Sequence, residues 1–158
     1  MKINRNAAIT LGLSLVFILI AGVYLVNYFT TPAVSIACFK QKCFEVELAT
    51  SPEQHASGLS NRDSLAMDKG MLFVFQNEEV YPFWMYGMKF PIDIIWIASN
   101  GTVVFVENNA LPCIPNSLCA PINPGGQNAM YVLEINAGLS DSVGIKIGEK
   151  VDISFAGG

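Results

Sequence analysis

One stretch of this chain restricts its folding more than any other. From Ala7 to Val26 the sequence reads AAITLGLSLVFILIAGVYLV, without a single charged residue. About 20 residues in a helix span about 30 Å, the thickness of a bilayer's hydrocarbon core. Lys2 and Arg5 precede the run, and the next basic residue is Lys40. Basic flanks stay on the cytoplasmic side. The asymmetry therefore predicts a cytoplasmic N-terminus at 1–6, a transmembrane signal-anchor helix at 7–26, and the remainder outside the cell membrane. A cleaved signal peptide is the rival reading, but its apolar region is typically about 7–15 residues. AVS (33–35) and SIA (35–37) have the small residues of a cleavage site, yet both lie well past the apolar run. A lipoprotein reading of SIAC is weaker, because Ser35 stands where a leucine-like residue belongs. Length favours anchoring over cleavage, and either way the following domain is exported.

Residues 27–37, NYFTTPAVSIA, read as a short tether that keeps the domain near the membrane surface. What remains, 38–158, is the size of one extracytoplasmic domain with one core. The whole chain is 52% hydrophobic and 14% charged, and the apolar run explains that excess. With a formal net charge of −4 and no basic patch tracking a phosphate backbone, nucleic acid is disfavoured as a partner.

Four cysteines fall as two close pairs, Cys38 with Cys43 and Cys113 with Cys119. Four cysteines allow three connectivities, and spacing alone does not choose among them. Residues flanking a four-residue turn do sit close enough across a hairpin for a disulfide. Zinc is the functional alternative. Its C-x₂₋₄-C spacing admits the first pair but not the second, and an oxidising compartment favours bridges.

Along the domain, CFEVELAT (43–50) alternates as a half-exposed strand. Ser51, Pro52 and Gln54 make a capped helix start, and Gly58 can end the helix after one or two turns. Strands are predicted at 70–75, 82–86, 92–98, 102–108, 130–135 and 150–155, with a second short capped helix within 136–144. Asn100-Gly101 predicts a type I′ hairpin turn. The stretch 109–128, rich in proline and carrying two cysteines, is long enough to be functional or pinned. Many short strands with turns between them predict a mainly β sandwich or barrel-like domain with two short helices.

VELATSPEQHASGLSNRDSL, GMLFVF, FWM, PIDIIWI, NGTVVFVE, YVLEINAG and GIKIGEKV, in this order, resemble the domain of unknown function 192 family over residues 44–155. The resemblance implies a single mainly-β domain, often set behind a signal or anchor in bacteria and archaea, with no established reaction. Recurrent polar or aromatic positions of that family are matched by Arg62, Trp84, Asp93 and Glu134. One departure is clear: Tyr86, Gly87 and Met88 stand where relatives carry a polar, KNT-like segment.

Among these residues, Asp93 and Glu134 are carboxylates in apolar strands, so each is paired or has a raised pKa. Arg62 is the expected counter-ion. A structural ion-pair network is the plainer expectation; the functional ones are a charged binding cluster or an acid/base pair. In YPFWMYGMKFPIDIIWI (81–97), Trp96 reads as core and Trp84 as a possible rim of a ligand site. His55, the sole histidine, reads as exposed on a polar helix. Met67, Met71, Met85, Met88 and Met130 read as core filling, with Cu(I) ligation the remote alternative. No serine or histidine stands in a recognisable catalytic setting, so no enzyme class is assigned and no cofactor or metal is called for. The leading expectation is a binding module at the cell envelope with an unidentified ligand or protein partner. Its site would be the rim of Trp84, the YGM bend and the 109–128 loop, supported by Arg62, Asp93 and Glu134. The alternatives are an envelope hydrolase or transferase using Asp93 or Glu134, and a copper- or zinc-binding protein.

Overall fold

The computed structural model describes residues 16–22, 34–40, 42–114 and 118–156. Two compact units divide between Ala33 and Val34. In the first, residues 16–22 form a helix, α1, with exposed apolar side chains such as Phe17 and Leu19. Most of the spanning helix expected over 7–26 lies outside the described residues. Among the described residues no helix is long and apolar enough to cross a membrane.

The second unit runs β1 (Ser35–Phe39), β2 (Lys42–Ala49), α2 (Pro52–Ser57), β3 (Lys69–Glu79), β4 (Ile92–Ile97), β5 (Val103–Ala110), β6 (Ala129–Asn136), α3 (Leu139–Val143) and β7 (Asp152–Ser154). The unit is mainly β, but the strands do not form the two facing layers of a sandwich. All seven lie in one open sheet of order β5-β4-β6-β3-β2-β1-β7. Only β2 and β3 are parallel, and parallel neighbours need a crossover, which residues 50–68 provide with α2. At one end the sheet edges meet: the Val103 amide donates to the Glu149 carbonyl and that of Val151 to the Gly101 carbonyl, both at 2.9 Å.

A second sheet is not needed because other segments cover both faces. One face buries Phe44, Leu72, Ile95, Leu133 and Ile135 with Ile145 and Val151 from the stretch before β7. The other buries Phe73, Ile92, Ile94, Trp96 and Val132 with Leu59, Met85 and Met88 from the connections. Strand β4, flanked by β5 and β6, is accordingly buried at every position, which its sequence, apolar but for Asp93, foreshadows.

Three local expectations change. The tether expected at 27–37 is shortened, because Ser35, Ile36 and Ala37 are strand, paired with β2 on one side and the last two with β7 on the other. Residues 82–86 are not a strand; their one bridge is the isolated pairing of Phe83 with Ile122, outside the sheet. Pro82 supplies no backbone donor, and Gly87, at φ +72°, turns the chain immediately afterwards. The Asn100-Gly101 hairpin forms, but with Gly101 alone at positive φ (+78°), whereas a type I′ turn needs two such residues. Gly101 is doubly required there, since a β-carbon would sit 2.8 Å from the Val151 carbonyl oxygen. Helix α2 begins as its sequence predicts. The Gln54 amide donates to Ser51 Oγ (3.3 Å) and the Ser51 amide to Gln54 Oε1 (3.0 Å). The cysteines pair locally, Cys38–Cys43 across the β1–β2 hairpin and Cys113–Cys119 within the long loop. That pairing uses up the thiols a zinc site would need.

An orphan carboxyl under an aromatic pocket

The strand register settles how the two buried acids relate. Asp93 lies opposite Ile135, and Ile94 lies opposite Glu134. Directly opposed residues share a face and successive residues alternate. Asp93 therefore shares the face of Ile95 and Ile135, while Glu134 shares that of Ile94 and Phe73. The two carboxyl groups are on opposite sides of one sheet, so they cannot work together as an acid/base pair.

Asp93 is wholly buried and saturated with donors. Its Oδ1 accepts from the amides of Asn109 (2.8 Å) and Gly138 (3.1 Å). Its Oδ2 accepts from the Ser140 amide (2.8 Å) and the Ser140 hydroxyl (2.6 Å). The pairing of β4 with β5 slips between Ile92 and Ile94, and Asn109 adopts a left-handed φ of 55° at that irregularity. Asp93 satisfies the amide that the slip leaves unpaired. It also caps α3, which has no side-chain cap of its own at Gly138. Its role is to tie β4, β5 and α3 together.

Glu134 is buried nearly as thoroughly, at 4% exposure, but its Oε2 has no hydrogen-bond partner among the described residues. Its strand neighbours are Met71 and Ile94, neither of which can donate. Burial pushes its carboxyl up to about 8, opposed by the positive field of Arg62. Above it opens a cavity of about 220 Å³. Phe73 and Phe75 of β3 line the floor beside Glu134, His55 to Gly58 of α2 with Leu59 and Ser60 form one wall, and Tyr81 to Trp84 with Met88 form the other. The walls are held together behind the cavity, where the Ser60 hydroxyl donates to the Tyr86 carbonyl (2.8 Å) and the Asn61 amide to that of Gly87 (2.8 Å). At Gly58, φ +48°, a β-carbon would stand 3.2 Å from the Phe73 ring and 3.7 Å from Glu134 Oε2, so glycine lets the backbone come close to the acid.

Trp84 and Glu134 thus line one cavity, and Arg62 and Asp93 do not. Trp84 is 54% exposed at the rim, whereas Trp96 is fully buried and donates its Nε1 hydrogen to the Tyr81 carbonyl (2.8 Å), fixing that wall. Arg62 is not paired with either buried acid. Its guanidinium grips Glu47 in a bidentate contact at 2.6 and 2.7 Å, which holds the Glu47 carboxyl below its usual range. The described residues of the 109–128 loop do not line it; they back the wall through Ile122 on Phe83 and Cys113 on Met85. Of the YGM bend, Met88 reaches the cavity. His55 is half-buried rather than exposed: its Nε2 hydrogen goes to the Ala49 carbonyl (2.9 Å) and its ring lies 4.6 Å from that of Phe75. Phe75, Tyr81 and Phe83, which the sequence did not single out, also line the cavity. Met71, Met85 and Met88 are core residues, and among the described residues no group of three His, Cys, Asp or Glu side chains is placed to hold a metal ion.

Comparison with known proteins agrees with this geometry at the level of fold. The chain is similar, at 31% identity and a TM-score of 0.66, to a protein of unknown function from Novosphingobium aromaticivorans, over 75% of this chain and 83% of that one. It is similar, at 32% identity and a TM-score of 0.67, to a protein of Sinorhizobium meliloti described as a "putative transcription regulator", over 75% of this chain and 91% of that one. No curated protein sequence matches it. The profile of DUF192, described as an uncharacterised ACR family, matches residues 35–153, and the chain belongs to that family.

Proposed function

We propose that this chain is a small-molecule-binding module, tethered by its N-terminal apolar run to the outer side of a cell membrane. One observation carries the binding reading: Glu134, a buried acid with one carboxyl oxygen unpartnered among the described residues, lines an open, aromatic-rich cavity. An unsatisfied buried acceptor costs about 1–3 kcal/mol, and a ligand that satisfied it would recover that cost. Concave, mostly apolar sites with one or two oriented polar groups are the common form of small-ligand pockets. The uncharged run at 7–26, its basic N-terminal flank and the two disulfides support the exported address.

The binding reading is tested with the exported domain and a variant that plugs the cavity. Ala56 lines the pocket and is exposed, so Ala56→Trp fills it without entering the core. Small organic molecules that raise the unfolding temperature of the wild type and perturb Trp84 fluorescence should do neither with the variant. Equal responses from both proteins would contradict the pocket. The address is tested separately by fractionation of cells making the whole chain. Recovery with membranes, cleavable by externally added protease, is expected; cytosolic recovery with four free thiols would contradict it.

A further inference from the structure

We infer that the pocket's ligand class is a primary organic ammonium, its charged head on Glu134 and its short apolar stem among the aromatic rings. This rests on the binding reading above and goes on to ask which chemistry the cavity would select. Glu134 Oε2 lacks a donor among the described residues, and an N–H group supplies one where a quaternary ammonium or a hydrocarbon would not. Ring faces carry partial negative charge, so Phe73, Phe75, Phe83 and Trp84 favour a cation and disfavour an anion. The nearest fixed cation is already engaged, because both terminal nitrogens of Arg62 are on Glu47. At about 220 Å³ the cavity is smaller than a typical drug-sized site, which suits a head group and a short stem.

The charged groups around Glu134 define how such binding depends on pH. His55 faces the cavity from α2, Tyr81 from the opposite wall, and Arg62 with its partner Glu47 lies outside it, while β3 and β4 present only Met71, Phe73 and Ile94. The Nε2 hydrogen of His55 is committed to Ala49. Burial, which pushes the Glu134 carboxyl up to about 8, keeps it protonated at neutral pH. Binding of an ammonium then releases that proton to solvent, while the ligand keeps its own three, leaving an ion pair. Apparent affinity should rise about tenfold per pH unit between pH 6 and the Glu134 midpoint.

The test compares cyclohexylmethylammonium with cyclohexylmethanol, equal in shape and different in charge, by calorimetry on the wild type, Glu134→Gln and Ala56→Trp. The expected result is at least tenfold tighter binding of the amine at pH 8, a preference that shrinks towards pH 6 and vanishes in E134Q, whose amide keeps the side-chain shape. An N-acetyl-lysine amide binding more tightly than the free amine would point to a polypeptide source, and the reverse to a free amine. Equal or tighter binding of the alcohol, or a preference that survives in E134Q, would overturn the ammonium and leave the pocket standing. Failure of every probe to bind the wild type differently from A56W would remove both readings.

Discussion

Asp93 and Glu134 are two acids buried in adjacent strands of one sheet, and they have opposite fates. Asp93 receives three backbone amides and a hydroxyl. Glu134, one strand away and on the other face, has an oxygen that receives no hydrogen bond from the described residues. Burial alone therefore says little about function. Donors supplied by the fold mark an acid that holds the structure together, and donors withheld beside a cavity mark one kept for something else.

The largest test of this contrast is Asp93→Ala. It strands three backbone amides at about 1–3 kcal/mol each, while the Ser140 hydroxyl keeps Asn108 Oδ1 as an acceptor, so a loss of about 6 kcal/mol is expected, comparable to the whole stability of a domain this size. Urea denaturation would read it, and a loss under about 2 kcal/mol would show that Asp93 is not the tie described here. Glu134→Gln should act in the other direction. Burial pushes the folded carboxyl up to about 8 from 4.5 in the unfolded chain, so the native state holds a proton that the unfolded chain releases between those two pH values. Stability contributed by the neutral acid is thus complete below pH 4.5 and lost as pH rises to about 8. The amide variant should match the wild type near pH 5 and exceed it by about 4 kcal/mol at pH 9. Parallel stability curves for the two proteins would break the contrast.

Arg62→Gln should have the smallest effect. The Arg62–Glu47 pair is partly exposed and contributes at most about 1 kcal/mol. That contribution is present above the unfolded pKa of Glu47 and fades as pH falls, opposite in sense to the Glu134 effect. The informative readout is Glu134 itself, whose titration should move further up once the guanidinium field is gone.

Much of this molecule is legible in its sequence, and what is not has a common cause. The capping box at Ser51–Gln54, the buried strand at 92–97 and the alternation around 43–49 are local patterns, and they fold as they read. Asp93 and Glu134 stand out as acids in apolar strands. Which face each occupies depends on the β4–β6 register between segments some forty residues apart, and alternation cannot show it when both faces are buried. The same holds for Arg62, whose partner comes from β2, and for His55, a polar helix residue turned inward by rings from β3. Ser35–Phe39 resembles the end of a tether because the strand is short, and it becomes a strand only through pairing with β2 and β7. Residues 82–86 err the other way: their β-forming side chains are real, but Pro82 and Gly87 deny them a ladder.

The central claim is that Glu134 sits neutral and unsatisfied at the base of an open pocket. A carboxyl-carbon NMR titration of that side chain tests it most directly. A midpoint near 8 that falls when cyclohexylmethylammonium is added is the expected result. A midpoint near 4.5 in the free protein would mean that the acid is solvated or already paired, and would contradict the account.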